Sequence, residues 1–307
     1  MTDTASSPRR ASMRDWLSDP NPRSPLQARL HQSWRMWRKL RRNGSALLGL
    51  AILMVIVFAA IFAPLLATHN IYAQDLGDRL ALPSAEHWLG TDELGRDIYS
   101  RLLYGARITL YIASLTAIIA APIGLLVGTV SGYFGGWVDT VLMRVTEIFL
   151  AFPSLVLALA FVSALGPGIN NAIIAISLTA WPPIARLARA ETMIIRRSDY
   201  IAAVRLQGAS ALRIIMRHVV PMCLPSVVAR VTLNMAGIIL SAAGLGFLGL
   251  GAQPPSPEWG AMLSSARQYI LSNGYVAAAP GMAILLTSVA FNLVGDGLRD
   301  VLDPRHE

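Results

Sequence analysis

Six apolar stretches dominate this sequence, at about 45–67, 108–130, 140–164, 171–189, 227–250 and 276–295. Each approaches the ~20 apolar residues that an α-helix needs to cross about 30 Å of hydrocarbon. Inside lipid, backbone N–H and C=O groups must be satisfied within the element itself, so blocks of this length predict helices and exclude open sheets. With 54% hydrophobic and 14% charged residues in 307, the chain is too apolar for an ordinary soluble domain. The expected fold class is an all-α integral membrane protein with six transmembrane helices. The fourth stretch is the weakest, because Trp181-Pro182-Pro183 interrupts it.

Arginine placement sets sidedness, since positively charged loops stay in the cytoplasm. Residues 1–43 hold nine Arg and one Lys against three Asp, and are assigned inside. Segment 68–101 carries Asp75, Asp78, Glu86, Asp92, Glu93 and Asp97 against three arginines, and is assigned outside. Arg196, Arg197, Arg205, Arg213 and Arg217 hold segment 190–225 inside, while 251–275, with one Glu and one Arg, falls outside. Both termini are then cytoplasmic. The chain divides into a basic N-terminal segment (1–43), a first transmembrane helix (44–67), an extracytoplasmic loop (68–101), a core with five spans (102–300) and a short C-terminus (301–307). The first 43 residues lack an apolar run, so the first span is expected to act as its own targeting signal in place of a cleavable peptide. Residues 1–32, rich in Pro, Ser and Arg, read as flexible. Ser33–Arg42, with Trp34 and Trp37 among basic residues, reads either as a helix at the headgroup surface or as a plain positive flank.

One polar stretch, Asp199–Pro221, lies between apolar ones and reads as two short helices around a turn. Gly208 stands where a helix exits through a left-handed residue, and Ser210 can cap the helix that follows. Leu212, Ile215, Met216 and Val219 fall at i, i+3, i+4, i+7 and form an apolar stripe, with Arg213 and Arg217 on a different face. Pro221 and Pro225 are expected to stop the second helix. Such a stretch is a solvated loop, a DNA-binding helix-turn-helix, or a docking element offered by a membrane protein to a cytoplasmic partner. Spans on both sides argue against nucleic acid and favour docking.

The central portions of all six stretches contain no Asp, Glu, Lys, Arg or His. An ion-coupled secondary transporter keeps such a group near mid-membrane, so that class is disfavoured. Arg144 and Glu147, three apart, can pair on one helix face; a buried pair that fixes helix packing is favoured over an acid/base pair. The sole lysine, Lys39, has no glycine-rich loop before it, so the chain is not expected to be an enzyme or to cradle ATP itself. Cys223 stands alone, and His31, His69, His87, His218 and His306 are scattered singly, so no metal is expected. Glycines 244, 246, 249 and 251 suit close helix packing. In His87-Trp-Leu-Gly-Thr-Asp-Glu-Leu-Gly-Arg-Asp-Ile-Tyr-Ser-Arg101, Thr91 or Asp92 is the expected cap of the helix that follows.

The polar stretch resembles the "EAA" coupling loop of bacterial ABC importer permeases, in which Glu-Ala-Ala and three further residues precede Gly. Counting back from Gly208 puts Ala202 at the Glu position, followed by Ala203 and Val204; Asp199, a helical turn earlier, is the acid nearest to hand. Tyr200, Arg205, Ala209, Ile214, Arg217, His218 and Pro221 extend the similarity to the dipeptide/oligopeptide/nickel branch. The 87–101 phrase is similar to that family's GTDxxGRD segment. Met143-Arg144…Glu147…Ala151-Phe-Pro-Ser154, Gly246–Met262 and Phe291–Pro304 are similar to its later phrases. The resemblance implies a type I ABC importer permease fold in the bacterial inner membrane. It implies a homologous second permease, two ABC ATPase subunits that bind the ATP and Mg, an extracytoplasmic solute-binding protein, and surrounding lipid. Di- or oligopeptides are the implied cargo, with nickel chelates, glutathione or opines as alternatives. Leu212, Ile215 and Met216 become candidate contacts in an ATPase groove, with Arg205, Arg213 and Arg217 facing acidic groups or lipid phosphate. Asp92, Arg96, Glu258 and Trp259 become candidate contacts for the binding protein.

Overall fold

The computed structural model describes residues 43–302 and, ahead of them, Ser24, Gln27, Leu30, His31, Trp34, Trp37, Arg38, Lys39 and Arg41. Most of the segments expected to be flexible (1–32) or to lie at headgroups (33–42), and 303–307 of the C-terminal segment, fall outside the described residues. From Gly44 onward the helices are α1 (Gly44–Ile61), α2 (Ala63–Leu66), α3 (Ile98–Phe134), α4 (Gly136–Leu150), α5 (Ser154–Leu165) and α6 (Ile169–Ala180). There follow α7 (Pro182–Ile195), α8 (Asp199–Leu206), α9 (Ala211–Ile214), α10 (Val220–Phe247), α11 (Trp259–Ala266) and α12 (Tyr275–Leu302).

Among the described residues, four helical segments are long and apolar enough to cross a membrane: Gly44–Ile61, Ile98–Phe134, Ala211–Phe247 and Tyr275–Val301. A fifth arises if α4 and α5 count together, although they meet at 90°. The stretch expected as one helix over 140–164 is therefore bent. Pro153 caps α5 with no N–H to continue α4, and it pushes Phe152 away from helical backbone. The 171–189 stretch is also divided, into α6 and α7. Pro182 and Pro183 open α7, where missing N–H groups leave no helical bond unmade.

α3 is the central post, packing against α7, α6 and α10, while α12 packs against α10 and α1. A row of glycines brings α3 and α7 backbone to backbone. A Cβ on Gly124 would lie 2.7 Å from the Trp181 carbonyl oxygen, on Gly128 closer still to that of Ala185, and on Gly132 2.7 Å from that of Arg189. Small residues one turn apart are how helices approach closely without a hydrophobic driving force between them. The sequence pointed instead to glycines 244, 246, 249 and 251. Of these, Gly246 and Gly251 are tightly enclosed, whereas Gly249 forms a left-handed turn with φ +77° and open space around it.

Hydrogen bonds between segments distant in the chain define two ends. At one, the Thr68 N–H donates to Ser100 Oγ (3.1 Å), the Tyr275 hydroxyl to the Ala81 carbonyl (3.1 Å), Arg79 Nη2 to the Tyr269 hydroxyl (2.9 Å), and the Gly168 N–H to the Leu250 carbonyl (3.1 Å). At the far ends of these helices, Asn43 Nδ2 donates to Asp300 Oδ2 (3.2 Å) and Arg196 Nη1 to the Tyr133 carbonyl (2.8 Å). The acidic 68–101 and near-neutral 251–275 segments thus share one end. The arginine-rich 196–221 segment lies at the other.

Candidate functional site

The 199–221 element is built by local chemistry. Ser198 caps α8, its side chain accepting from the Ile201 N–H, and Ser210 caps α9 through the Arg213 N–H. Between them Gly208 has φ +80°, and nothing lies within 4 Å of where a Cβ would stand. Conformation, not crowding, calls for glycine here. The second helix does not stop at Pro221. Ile215–Val219 form a π-helical turn in which the Val220 N–H donates to the Ile215 carbonyl, and α9, this turn and α10 run on as one 37-residue rod, Ala211–Phe247. The widened turn accommodates the Pro221 ring where a regular α-turn would clash with it. Pro225 likewise sits inside α10.

Ile201, Ile214 and Val219 are fully buried, in one cluster with Trp181, Ile184 and Cys223. Ile215, expected to face a partner, is also buried in its own chain. The outward apolar groups are Leu206, 89% exposed, Leu212, 70%, and Met216, 49%. Leu206 escaped the sequence pattern because the stripe was counted along the second helix alone. Asp199, Ala202, Ala203, Arg205, Ser210, Arg213, Arg217 and Pro221 are exposed around them. The Arg205 guanidinium lies 5.8 Å from the Tyr133 ring. His218 is not solitary: its Nδ1 lies 2.6 Å from the Tyr200 hydroxyl, linking α8 to the π turn.

Two ion pairs lie toward this end. Arg144 Nη1 and Glu147 Oε2 meet at 3.1 Å as their spacing implies, but the side chains are 74% and 61% exposed. The pair is therefore not buried, and fixes no packing within this chain. The pair that does join two helices is Arg189 with Asp139, bidentate at 2.6 Å through both Nε and Nη2. Ser131 also donates to Asp139. Lying 50 residues apart, Asp139 and Arg189 show no spacing motif.

At the other end Asp75, Asp78 and Glu86 stay exposed, but a second set of charged residues turns inward. Asp92 Oδ1 accepts from the Leu94 and Arg96 N–H groups (2.9 and 3.0 Å), its Oδ2 accepts from Arg96 Nε (2.7 Å), and Arg101 Nε stands 3.4 Å away. Arg101 Nη1 donates to the Ile71 carbonyl at 3.0 Å. The cap of α3 is Asp97, whose side chain accepts from the Ser100 N–H, and not Thr91 or Asp92. Thr91 instead exchanges bonds with Ala81, tying the 87–101 phrase to the loop before it. Glu258 caps α11 through the Gly260 and Ala261 N–H groups, both at 2.9 Å. Burial pushes its carboxyl up to about 7, the two backbone donors offsetting only part of that effect. Trp259 Nε1 donates to the Leu102 carbonyl at 3.0 Å. Asp92, Arg96, Glu258 and Trp259, expected as surface contacts, are all buried. They frame the loops and present no surface. His69 and His87, scattered in the sequence, meet beside Asp97.

Helices of spanning length, joined by an inward-packed polar frame at one end and an exposed two-helix element at the other, define a polytopic membrane protein of the permease class. Residues 120–307 match the family described as the binding-protein-dependent transport system inner membrane component. Residues 32–83 match the N-terminal transmembrane domain of oligopeptide transport permease C. The chain belongs to this family of transport permeases. It is 43% identical over 94% of its length to the dipeptide transport system permease protein DppC of Alkalihalophilus pseudofirmus, covering 96% of that protein. It is 43% identical over 92% of its length to the probable D,D-dipeptide transport system permease protein DdpC of Escherichia coli K12, covering 95% of it. It is 44% identical over 88% of its length to the glutathione transport system permease protein GsiD of another Escherichia coli strain, covering 89% of it. The fold is shared with the MetNI methionine ABC transporter in an inward-facing conformation, at TM-score 0.53 and 22% identity, over 66% of this chain and 97% of that one.

Proposed function

We propose that this chain is the permease subunit of an ATP-driven importer that carries di- or oligopeptides across the bacterial inner membrane, energised by ATPases docking on the 199–221 element. The observation that carries this reading is the pairing of exposed Leu206, Leu212 and Met216 with exposed Arg205, Arg213 and Arg217 on an element whose other face is locked into the core by Ile201 and Ile214. A rigid element can be moved as a body by the closing of an ATPase groove. The π turn passes that movement into α10, and Arg196, bonded to the Gly132 and Tyr133 carbonyls, passes it to α3. Coupling requires that the groove contacts differ between the inward- and outward-open states.

Alternation between the two ends supports six crossings with both termini in the cytoplasm, α4–α5 and α6–α7 each serving as one broken span. The domain limits read from the sequence, with the first helix at 44–67 and the remaining spans within 102–300, go with this arrangement. The partners are a homologous second permease, two ATPase subunits that hold the ATP and Mg, and an extracytoplasmic solute-binding protein that selects the cargo. Peptide cargo follows the relatives named for dipeptides, and glutathione, itself a small peptide, follows the relative named for it.

The test is a Leu206→Asp/Leu212→Asp double variant in the complex, reconstituted in proteoliposomes with peptide-loaded binding protein. Uptake and binding-protein-stimulated ATPase activity are expected to fall together at least tenfold, a coupling difference above about 1.4 kcal/mol. Unchanged uptake and ATPase activity would overturn the assignment.

A further inference from the structure

We infer that His69, His87 and Asp97 form a binding site for a divalent transition-metal cation of the zinc class on the extracytoplasmic end of this chain. Their ligand atoms all lie within 4.8 Å of one another. His87 Nδ1 is 3.0 Å from Asp97 Oδ1, and His69 Nδ1 is 3.9 Å from the same oxygen. Ligands about 2.0–2.2 Å from a tetrahedral zinc stand a little over 3 Å apart. Of the three pairs, His87–Asp97 is already at that separation; His69 must move about 1 Å or somewhat more to close on Asp97 and on His87, which lies within 4.8 Å, and its 33% exposed side chain is free to do so.

The site is built, not merely crowded. The second oxygen of buried Asp97 is held by the Ser100 N–H at 2.7 Å, which aims the first at the imidazoles. The two rings stand 4.5 Å apart between centroids, and Thr68 Oγ1 lies 2.9 Å from His69 Nδ1. Zinc held through the two Nδ1 atoms takes the place of the His87 Nδ1–Asp97 Oδ1 hydrogen bond, its charge replacing the proton between them. Asp75, Asp78 and Glu86 line the same open cavity of about 270 Å³, and their charge favours a cation. Two imidazoles with a carboxylate suit zinc and its neighbours better than magnesium or calcium, which prefer all-oxygen shells. A metal here would tie the residues following α1 to the first turn of α3 across the face that the 68–101 loop presents outward.

The experiment uses the assembled importer in lipid nanodiscs, purified through a tag without histidine and stripped with chelator. Zinc chloride is titrated by calorimetry, and retained zinc is counted after gel filtration. About one zinc per copy of this chain is expected beyond what a His69→Asn/His87→Asn double variant retains, with each single variant weakening affinity at least tenfold. Cobalt(II) in place of zinc is expected to give the visible absorption of a low-coordinate, nitrogen-ligated ion, absent in the double variant. No stoichiometric zinc in the unaltered complex, or equal zinc in the double variant, would overturn the proposal. Should the double variant fail to assemble, His69→Asn alone decides: it alters a partly exposed side chain, and unchanged zinc affinity would overturn the proposal.

Discussion

The two ends of this molecule use charge in opposite ways. At the end proposed above to face outward, Asp92, Arg96, Asp97, Arg101 and Glu258 are buried and bonded to one another or to backbone. At the end proposed to face the cytoplasm, Arg205, Arg213 and Arg217 stand exposed beside exposed Leu206, Leu212 and Met216. Buried charges hold a loop in one shape, because an unpaired one is costly. Exposed ones add little to the stability of the chain that bears them and remain free for another surface. The difference teaches that a charged loop residue is not by itself a contact residue. Burial decides which kind it is.

Asp92→Ala probes the outer end most severely. It leaves Arg96 and Arg101 without the carboxylate between them, and loss of one partner from a buried charged set costs about 3–5 kcal/mol. Yield and monodispersity of the assembled complex are expected to collapse, and uptake with them. A Leu212→Ala change on the 199–221 element is expected to leave yield and monodispersity intact.

Glu258 gives the outer end a pH dependence. Burial holds its carboxyl near 7 in the folded chain, so between the ordinary carboxylate range and that value the folded state keeps a proton that the unfolded chain has lost. Stability is then greatest in acid, falls as pH rises through about 7, and is level above it. The span of that fall is about 3 kcal/mol. Thermal midpoints measured from pH 5 to 8 are expected to show the decline in the parent complex and to lose it in Glu258→Gln.

Gly208 sharpens the inner side. Gly208→Val forces a β-branched residue to φ +80°, at about 1–2 kcal/mol, although the space around it is open. Asn tolerates that region. Stimulated ATPase activity and uptake are expected to drop in the Val variant and to be largely retained in Gly208→Asn. Tyr200→Phe should be mildest. It removes the 2.6 Å link to His218, worth about 1 kcal/mol, and is expected to lower the thermal midpoint slightly while leaving transport measurable.

The long helices were readable because an apolar run of spanning length has few alternatives, and the turn at Gly208 because its chemistry is local. Where reading failed, the missing information lay in distant residues. The passage of Pro221 through a π turn depends on a widened register that no propensity reports. The glycines that matter most for close packing on α3 are 124, 128 and 132, selected by the backbone of α7 and not by their own neighbours. Asp139 finds Arg189 only when the helices between them are folded, and His69 finds His87 only when the 68–101 loop takes its shape.

By itself the amino-acid order determined the helical membrane character, the polar and apolar alternation and the capped turn between α8 and α9. Each follows from residues within a few turns of one another. Only the tertiary structure decided which charges face inward, which apolar side chains of the 199–221 element remain outside, and which imidazoles share a carboxylate. Burial is a property of what packs across the gap, and that partner lies tens of residues away in the chain.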